Sequence, residues 1–96
     1  MGYLQTMQHA TKATVRRRLS RIEGQVRGIS RMVDEDRYCI DVVTQIAAVR
    51  AALAKVEQSI LGDHVRHCVE HAIASGDRSL QRAKVAELME ILERRS

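Results

Sequence analysis

The sequence predicts an all-α protein made of three helices. The chain has 96 residues with no proline, phenylalanine or tryptophan, and residues of high helix propensity dominate it. Apolar residues recur at steps of three and four over three separate stretches, which is the period of an amphipathic helix. A helical chain of this size without aromatic bulk has a thin core, so we expect it to associate with further copies.

The first helix is predicted over about residues 13–34. Residues 1–11 are polar and aperiodic, and we interpret them as a flexible N-terminal arm ahead of one domain, residues 12–96. A heptad-like apolar stripe then begins, and acidic residues end it at 34–36. The stripe consists of Val15, Leu19, Ile22, Val26, Ile29 and Val33.

Two further helices follow the acidic turn. A long second helix is predicted from Cys39 to Ser75, because apolar residues continue at helical spacing throughout. Gly76 suits the residue that ends it, and Asp77 or Ser79 could cap the third helix. The apolar stripe of the third helix is Val85, Leu88, Met89 and Leu92.

Two thiols and one imidazole have the spacing of a metal site shared between subunits. His64 and Cys68 are four residues apart and so project from one helix face. Cys39 lies 25 residues before His64, which is about 37 Å along a straight helix. Metal ligands lie about 2 Å from their ion, so Cys39 could join the other two only from a second, antiparallel subunit. Two thiolates and an imidazole favour Cu(I), whereas structural zinc would need a fourth ligand.

A basic stripe on the first helix indicates a polyanionic partner. The net charge is +4, yet seven cations and the single anion Glu23 lie between residues 12 and 31. The cations are Lys12, Arg16, Arg17, Arg18, Arg21, Arg27 and Arg31. This pattern predicts nucleic-acid binding in which contacts to the phosphate backbone carry much of the recognition. No apolar run approaches the ~20 residues that span a bilayer, so we expect a cytoplasmic protein without a membrane segment.

Three segments, RLSRIEGQVRGI at 18–29, DRYCIDV at 36–42 and QIAAV at 45–49, resemble the CsoR/RcnR family of bacterial metal-sensing repressors. The resemblance covers about residues 12–93. It implies a three-helix protomer, antiparallel dimers that pair into tetramers, and no catalytic activity. It also implies a repressor that binds operator DNA without metal and releases it when the inducer binds.

The same resemblance assigns roles to individual residues. Cys39, His64 and Cys68 match the ligand set of the copper(I) sensors, the first from one subunit and the other two from its partner. A tyrosine and a glutamate that support the site match Tyr38 and Glu87. Lys84 takes the glutamate position unless the turn at 76–81 holds about three extra residues. The expected DNA-binding residues are Arg16, Arg17, Arg18, Arg21, Arg27, Arg50 and Lys55.

Three alternatives stay open at this point. Cys39 and Cys68 could serve a repressor that senses thiol oxidation or persulfides. The persulfide-sensing relatives, however, lack the central histidine that His64 supplies here. A nickel-sensing relative would carry an N-terminal histidine where this chain has Met7, with His9 two residues further on. A copper chaperone or buffer would bind the metal but would have no use for the basic stripe.

Overall fold

The computed structural model describes residues 7–95 and confirms the three-helix, all-α prediction. The helices are α1 (His9–Asp34), α2 (Cys39–Ser75) and α3 (Arg78–Arg95), and no strand occurs in the described range. None of the three has an apolar stretch suited to crossing a membrane. The first six residues of the predicted N-terminal arm lie outside the described residues.

The limits predicted for α2 are confirmed, whereas α1 begins at His9, about four residues earlier than predicted. The backbone N–H of Lys12 donates to the carbonyl of Gln8 at 2.9 Å and so starts the helical ladder. No glycine or proline follows before residue 24, so the helix has nothing to delay it. The predicted start of α1 was therefore wrong, because it treated polar residues at the end of the arm as a loop on their polarity alone.

The turn between α1 and α2 is a Schellman motif with aspartate in its left-handed position. Asp36 has φ 55°, and its N–H donates to the carbonyl of Val33 at 3.1 Å. The N–H of Arg37 donates to the carbonyl of Met32 at 2.9 Å, which completes the motif. α2 then starts directly, because the carbonyl of Tyr38 accepts from the N–H groups of Asp41 and Val42.

The chain forms two compact units, residues 8–60 and residues 61–95 with residue 7, and α2 runs through both. In the first unit, Val15 and Ile22 of α1 and Val49 and Val56 of α2 are buried. Each pair is seven residues apart, and Val15 and Val56 are equally distant from the turn at 35–36, as Ile22 and Val49 are. Antiparallel helices therefore bring these four side chains together in one core.

The predicted apolar stripe of α1 consists of two rows that face different ways. Val15 and Ile22 are buried, whereas the row displaced by four residues is exposed. That second row is Leu19 (42% exposed), Val26 (47%) and Val33 (59%). α2 repeats this division, with an exposed row at Ile46 (42%), Leu53 (44%) and Ile60 (37%). Both helices of this unit thus present an apolar surface that the described part of the chain leaves uncovered.

The second unit is a hairpin of the end of α2 and α3. Gly76, with φ 69°, takes the left-handed position that ends α2. Asp77 caps α3, because its Oδ1 accepts from the N–H groups of Ser79 at 2.9 Å and Leu80 at 3.3 Å. The Nε2 of Gln81 donates to the carbonyl of Ala72 at 3.2 Å, which ties the two helices together beside the turn.

Candidate functional site

His64 and Cys68 lie side by side on α2, as their spacing predicted. The Sγ of Cys68 is 3.7 Å from both ring nitrogens of His64. Cys68 is only 3% exposed and His64 is half-buried. A thiol and an imidazole at this separation can both contact one metal ion with small side-chain adjustments.

Glu87 of α3 holds the ring of His64. Its Oε1 is 2.8 Å from Nε2 of His64. A carboxylate can only accept a hydrogen bond, so Nε2 carries the proton that is donated. In a neutral imidazole, Nδ1 then has the free electron pair. The contact therefore selects Nδ1 as the nitrogen that can bind a metal beside Cys68.

The hydrogen bond from His64 lowers the pKa of the Glu87 carboxyl below its ordinary value of 4.5. Partial burial opposes this effect, and the charge of Lys84 adds to it. The Nζ of Lys84 lies 3.8 Å from the second carboxylate oxygen of Glu87. Glu87 thus stays ionised at neutral pH and remains an acceptor for His64.

The α2–α3 hairpin explains why Glu87, and not Lys84, reaches His64. His64 precedes Gly76 by 12 residues and Glu87 follows it by 11, so an antiparallel hairpin brings them to the same level. Together with Cys68 they line a small cleft between the two helices, of about 10 Å³. This volume corresponds to at most one water molecule.

Cys39 and Tyr38 lie at the start of α2, away in sequence from this pair. Cys39 is exposed, and Tyr38 is 67% exposed. Neither cysteine forms a disulfide within the described chain. Among residues 7–95 no group of three or more His, Cys, Asp or Glu side chains is close enough to hold a metal ion. Among the described residues, His64, Cys68 and Glu87 therefore lie together within the unit of residues 61–95, whereas Cys39 belongs to the unit of residues 8–60.

Three of the predicted DNA-binding side chains meet at one groove between α1 and α2, within the unit of residues 8–60. The groove has a volume of about 460 Å³. Arg18 and Arg21 line it from α1, and Lys55 lines it from α2. Its remaining lining residues are Ile22, Gln25, Ala48, Ala51 and Ala52. The alanine side chains are small and fill little of the groove, so the three cationic side chains line an open space.

The other four predicted DNA-binding residues are exposed but do not line this groove. They are Arg16, Arg17, Arg27 and Arg50. Arg17 donates to Oγ1 of Thr14 at 3.4 Å, and Arg27 pairs with Glu23 at 3.8 Å, both within α1. These arginines widen the positive surface without sharing the groove.

Two polar residues of this surface, Gln25 and Ser59, were not identified by the sequence analysis. The buried Oε1 of Gln25 has no hydrogen-bond partner among the described residues, and it lies in the groove. Ser59 accepts a hydrogen bond from Nη1 of Arg18 at 3.1 Å. Gln25 could have been found because it follows Arg21 by four residues and Arg18 by seven, on the same helix face. A lone helical serine carries no comparable signal.

Comparison with known proteins finds metal-sensing and copper-sensing transcriptional repressors. A family model described as "Metal-sensitive transcriptional repressor" matches residues 11–94. The chain is 52% identical over 75 residues to the copper-sensing transcriptional repressor RicR of Mycobacterium tuberculosis, a match that covers 78% of this chain and 73% of that protein. It is 47% identical over 83 residues to the copper-sensing transcriptional repressor CsoR of Bacillus subtilis, covering 86% and 79%.

Two solved structures have the same fold. The crystal structure of the copper-sensing repressor CsoR with Cu(I) from Geobacillus thermodenitrificans matches with a TM-score of 0.80 and 39% identity, over 93% of this chain and 90% of that one. The nickel-responsive transcriptional regulator InrS matches with a TM-score of 0.75 and 45% identity, over 85% and 89%. Similarity therefore extends along nearly the whole described chain.

Proposed function

Because the chain belongs to the family of metal-sensitive transcriptional repressors, which are not enzymes, we propose that it is a copper(I)-responsive repressor. It binds operator double-stranded DNA in the metal-free state and is released when Cu(I) binds. The observation that carries the proposal is the Cys68–His64 pair, 3.7 Å apart and held by Glu87. The similarity to copper-sensing repressors supports the choice of metal.

The proposed ligands are Cys39, His64 and Cys68. Thiolate sulfur is a soft donor, and Cu(I) accepts a low coordination number, so two thiolates and one imidazole suit this ion. Glu87 keeps Nδ1 of His64 available, and Tyr38 stands next to Cys39. Cys39, His64 and Cys68 would hold Cu(I), and the ion would supply coordinate bonds to their sulfur and nitrogen atoms.

We infer that each site combines Cys39 of one subunit with His64 and Cys68 of its partner. Cys39 begins a continuous helix in which His64 comes 25 residues later, about 37 Å at the ordinary rise. Cys39 also falls in the exposed seven-residue series that continues through Ile46, Leu53 and Ile60. An antiparallel partner packed on that series would place the far end of the partner's α2 beside Cys39 of the first subunit.

The exposed apolar rows support a homodimer that pairs further into a tetramer. In the unit of residues 8–60, both helices leave a row of large apolar side chains between 37% and 59% exposed. In the other unit, Ile73, Val85, Met89 and Leu92 are all at least half exposed. Full burial of an exposed side chain of this kind contributes about 1.5–3 kcal/mol, and these side chains are already about half-buried, so a partner that covers one adds roughly half of that. A monomer would leave this free energy unused.

The proposed DNA contacts centre on the groove of Arg18, Arg21 and Lys55. Arginine and lysine at a groove between two helices can bind the phosphate oxygens of one DNA strand. Arg16, Arg17, Arg27 and Arg50 extend the contact to neighbouring phosphates. We place the protein in the cytoplasm, where it has access to operator DNA.

Two alternatives have a specific observation in their favour. The 45% identity to a nickel-responsive regulator favours nickel. The family resemblance argues against it, because it implies an N-terminal histidine in the nickel sensors where this chain has Met7. The exposed Cys39 thiol favours a sensor of thiol oxidation or persulfides that pairs Cys39 with Cys68 of a partner. The experiment that follows separates all three inducers.

The test is fluorescence anisotropy of labelled operator DNA with the purified protein. Cu(I) should release the DNA, whereas Ni(II) and a persulfide donor should not. Cys39→Ala and Cys68→Ala should each abolish tight Cu(I) binding and the release. His71→Ala is the matched control, because His71 is an exposed imidazole on the same helix. If Ni(II) or the persulfide donor released the DNA and Cu(I) did not, the proposed inducer would be wrong and the agent that released the DNA would take its place.

A mixed dimer tests the shared site. One chain carries Cys39→Ala, and the other carries His64→Ala with Cys68→Ala. One of the two sites then retains all three ligands, and the other retains none. The heterodimer should bind one Cu(I) tightly in competition with a chelator, although neither parent homodimer has a complete site. Failure to recover a tight site in the heterodimer would refute the sharing of ligands.

A further inference from the structure

Arg18 is tied to the neighbouring helix. Its Nη1 donates to Oγ of Ser59 at 3.1 Å, across 41 positions of sequence from α1 to α2. The neighbouring arginines are held differently, since Arg17 bonds to Thr14 and Arg27 pairs with Glu23 within α1. The Arg18–Ser59 bond therefore fixes a side chain of the basic surface relative to a second element of the fold.

The bond leaves most of the guanidinium available. Arginine has five N–H donors in a planar fork, and Ser59 accepts only one of them. The remaining donors can still bind a phosphate in the bidentate geometry that arginine favours. Arg18 is exposed and Ser59 is half-buried, so the serine is the fixed partner and the guanidinium the projecting one.

Holding a side chain before binding lowers the cost of binding. A long exposed side chain loses rotamer freedom when it grips a ligand. A hydrogen bond already present in the free protein removes part of that loss in advance. Arg18 lines the groove together with Arg21 and Lys55, so its orientation decides whether three cations converge on the same phosphates.

We propose that Ser59 is a positioning residue of the DNA interface, which holds Arg18 in its DNA-binding orientation through their hydrogen bond. The inference rests on the proposed function, because it requires that the groove bind DNA. Ser59 itself makes no base or phosphate contact in this account. Its effect is confined to the metal-free state, in which the protein binds its operator.

The experiment compares Ser59→Ala, Ser59→Thr, Arg18→Ala and the Ser59→Ala/Arg18→Ala double variant. The probe is a fluorescein-labelled duplex selected by the wild-type protein from a random-sequence DNA pool. Anisotropy titrations of the full-length, metal-free protein are repeated over a range of salt concentrations. Gln58→Ala is the control, because Gln58 is the exposed neighbour of Ser59 on the same helix.

Ser59→Ala should weaken binding about 2- to 10-fold, the expected cost of ordering one long side chain at the moment of binding. Ser59→Thr keeps a hydroxyl and should restore most of the affinity. Arg18→Ala should reduce the slope of log affinity against log salt by about 0.9, the value for one phosphate. Ser59→Ala should leave that slope unchanged, because Arg18 still reaches its phosphate. In the Arg18→Ala background, Ser59→Ala should have no further effect.

Two results would overturn the inference while the proposed function stands. The first is Arg18→Ala weakening binding with Ser59→Ala equal to wild type. The second is Ser59→Ala weakening binding equally with and without Arg18, or without rescue by threonine, since Ser59 would then act by another route. Failure of the wild-type protein to select any duplex would instead contradict DNA binding itself. Circular dichroism of each variant establishes that α-helix content is unchanged, which separates positioning from loss of fold.

Discussion

Replacing Glu87 by alanine should weaken copper binding without removing any ligand. The variant deletes the acceptor that lies 2.8 Å from Nε2 of His64 and leaves the imidazole free to rotate and to change tautomer. Loss of a hydrogen-bonding group that supports a metal ligand typically costs 10- to 100-fold in metal affinity. We therefore expect Cu(I) affinity to fall by that factor, which corresponds to about 1.4–2.7 kcal/mol.

The same variant should destabilise the metal-free protein only slightly. One hydrogen bond contributes about 0.5–1.5 kcal/mol, and the Glu87 side chain is 43% exposed, so solvent screens its charge. We expect a loss near the lower end of that range, about 0.5 kcal/mol. Since the pKa of Glu87 is lower in the folded protein, its contribution is complete above pH 4.5 and disappears as pH falls through the folded pKa. The stabilities of the variant and wild type should converge in acid.

Competition titration with a Cu(I) chelator measures the affinity, and thermal unfolding followed by circular dichroism measures the stability. Glu90→Ala is the control, because Glu90 lies on the same helix and pairs with the exposed Arg94 at 3.7 Å. The control should keep wild-type Cu(I) affinity. Equal affinities for Glu87→Ala and Glu90→Ala would refute the view that Glu87 orients the imidazole for the metal.

Three changes outside the proposed ligands test the account of the fold by thermal unfolding. Gly62→Ala should stabilise α2 by about 0.5–1 kcal/mol, because nothing lies within 4 Å of the added Cβ; a lower melting temperature would mean that a partner packs there. Asp36→Gly should stabilise by about 1 kcal/mol by relieving the left-handed conformation, and no gain would contradict that strain. Asp77→Ala should destabilise by about 1 kcal/mol through loss of the α3 cap. Ser79→Ala is its control, because the cap uses the side chain of Asp77 and only the backbone N–H of Ser79.

Much of the fold follows directly from the sequence. The limits of α2 were predicted because an acidic turn precedes Cys39 and a glycine follows Ser75, and both signals act locally. The start of α1 was not predicted correctly, because polar residues form a helix as readily as a loop when no glycine or proline interrupts them. Periodicity also could not separate the two rows of the α1 stripe. Rows displaced by four residues are both apolar, and only packing against α2 determines that Ile22 is buried and Val26 is exposed.

The candidate site was predictable where it depends on one helix and open where it depends on two. The spacing of His64 and Cys68 fixes their proximity, because residues four apart share a helix face. The choice between Glu87 and Lys84 depends on the length of the turn before α3, and the hairpin centred on Gly76 makes Glu87 the partner of His64. Ser59 could not be predicted at all, since its bond to Arg18 depends on the packing of α1 against α2.

The proposed response to copper follows from how residues are distributed along α2. Lys55 and Ser59 belong to the proposed DNA interface, and His64 follows Ser59 by five residues on the same helix. Cys39, at the other end, is exposed in a row of apolar side chains that the described residues 7–95 leave uncovered. A site that needs Cys39 of one chain and His64 of another is complete only for particular arrangements of two α2 helices. Copper binding therefore selects among those arrangements, and by linkage an operator that prefers a different one must weaken copper binding by the same factor by which copper weakens operator binding.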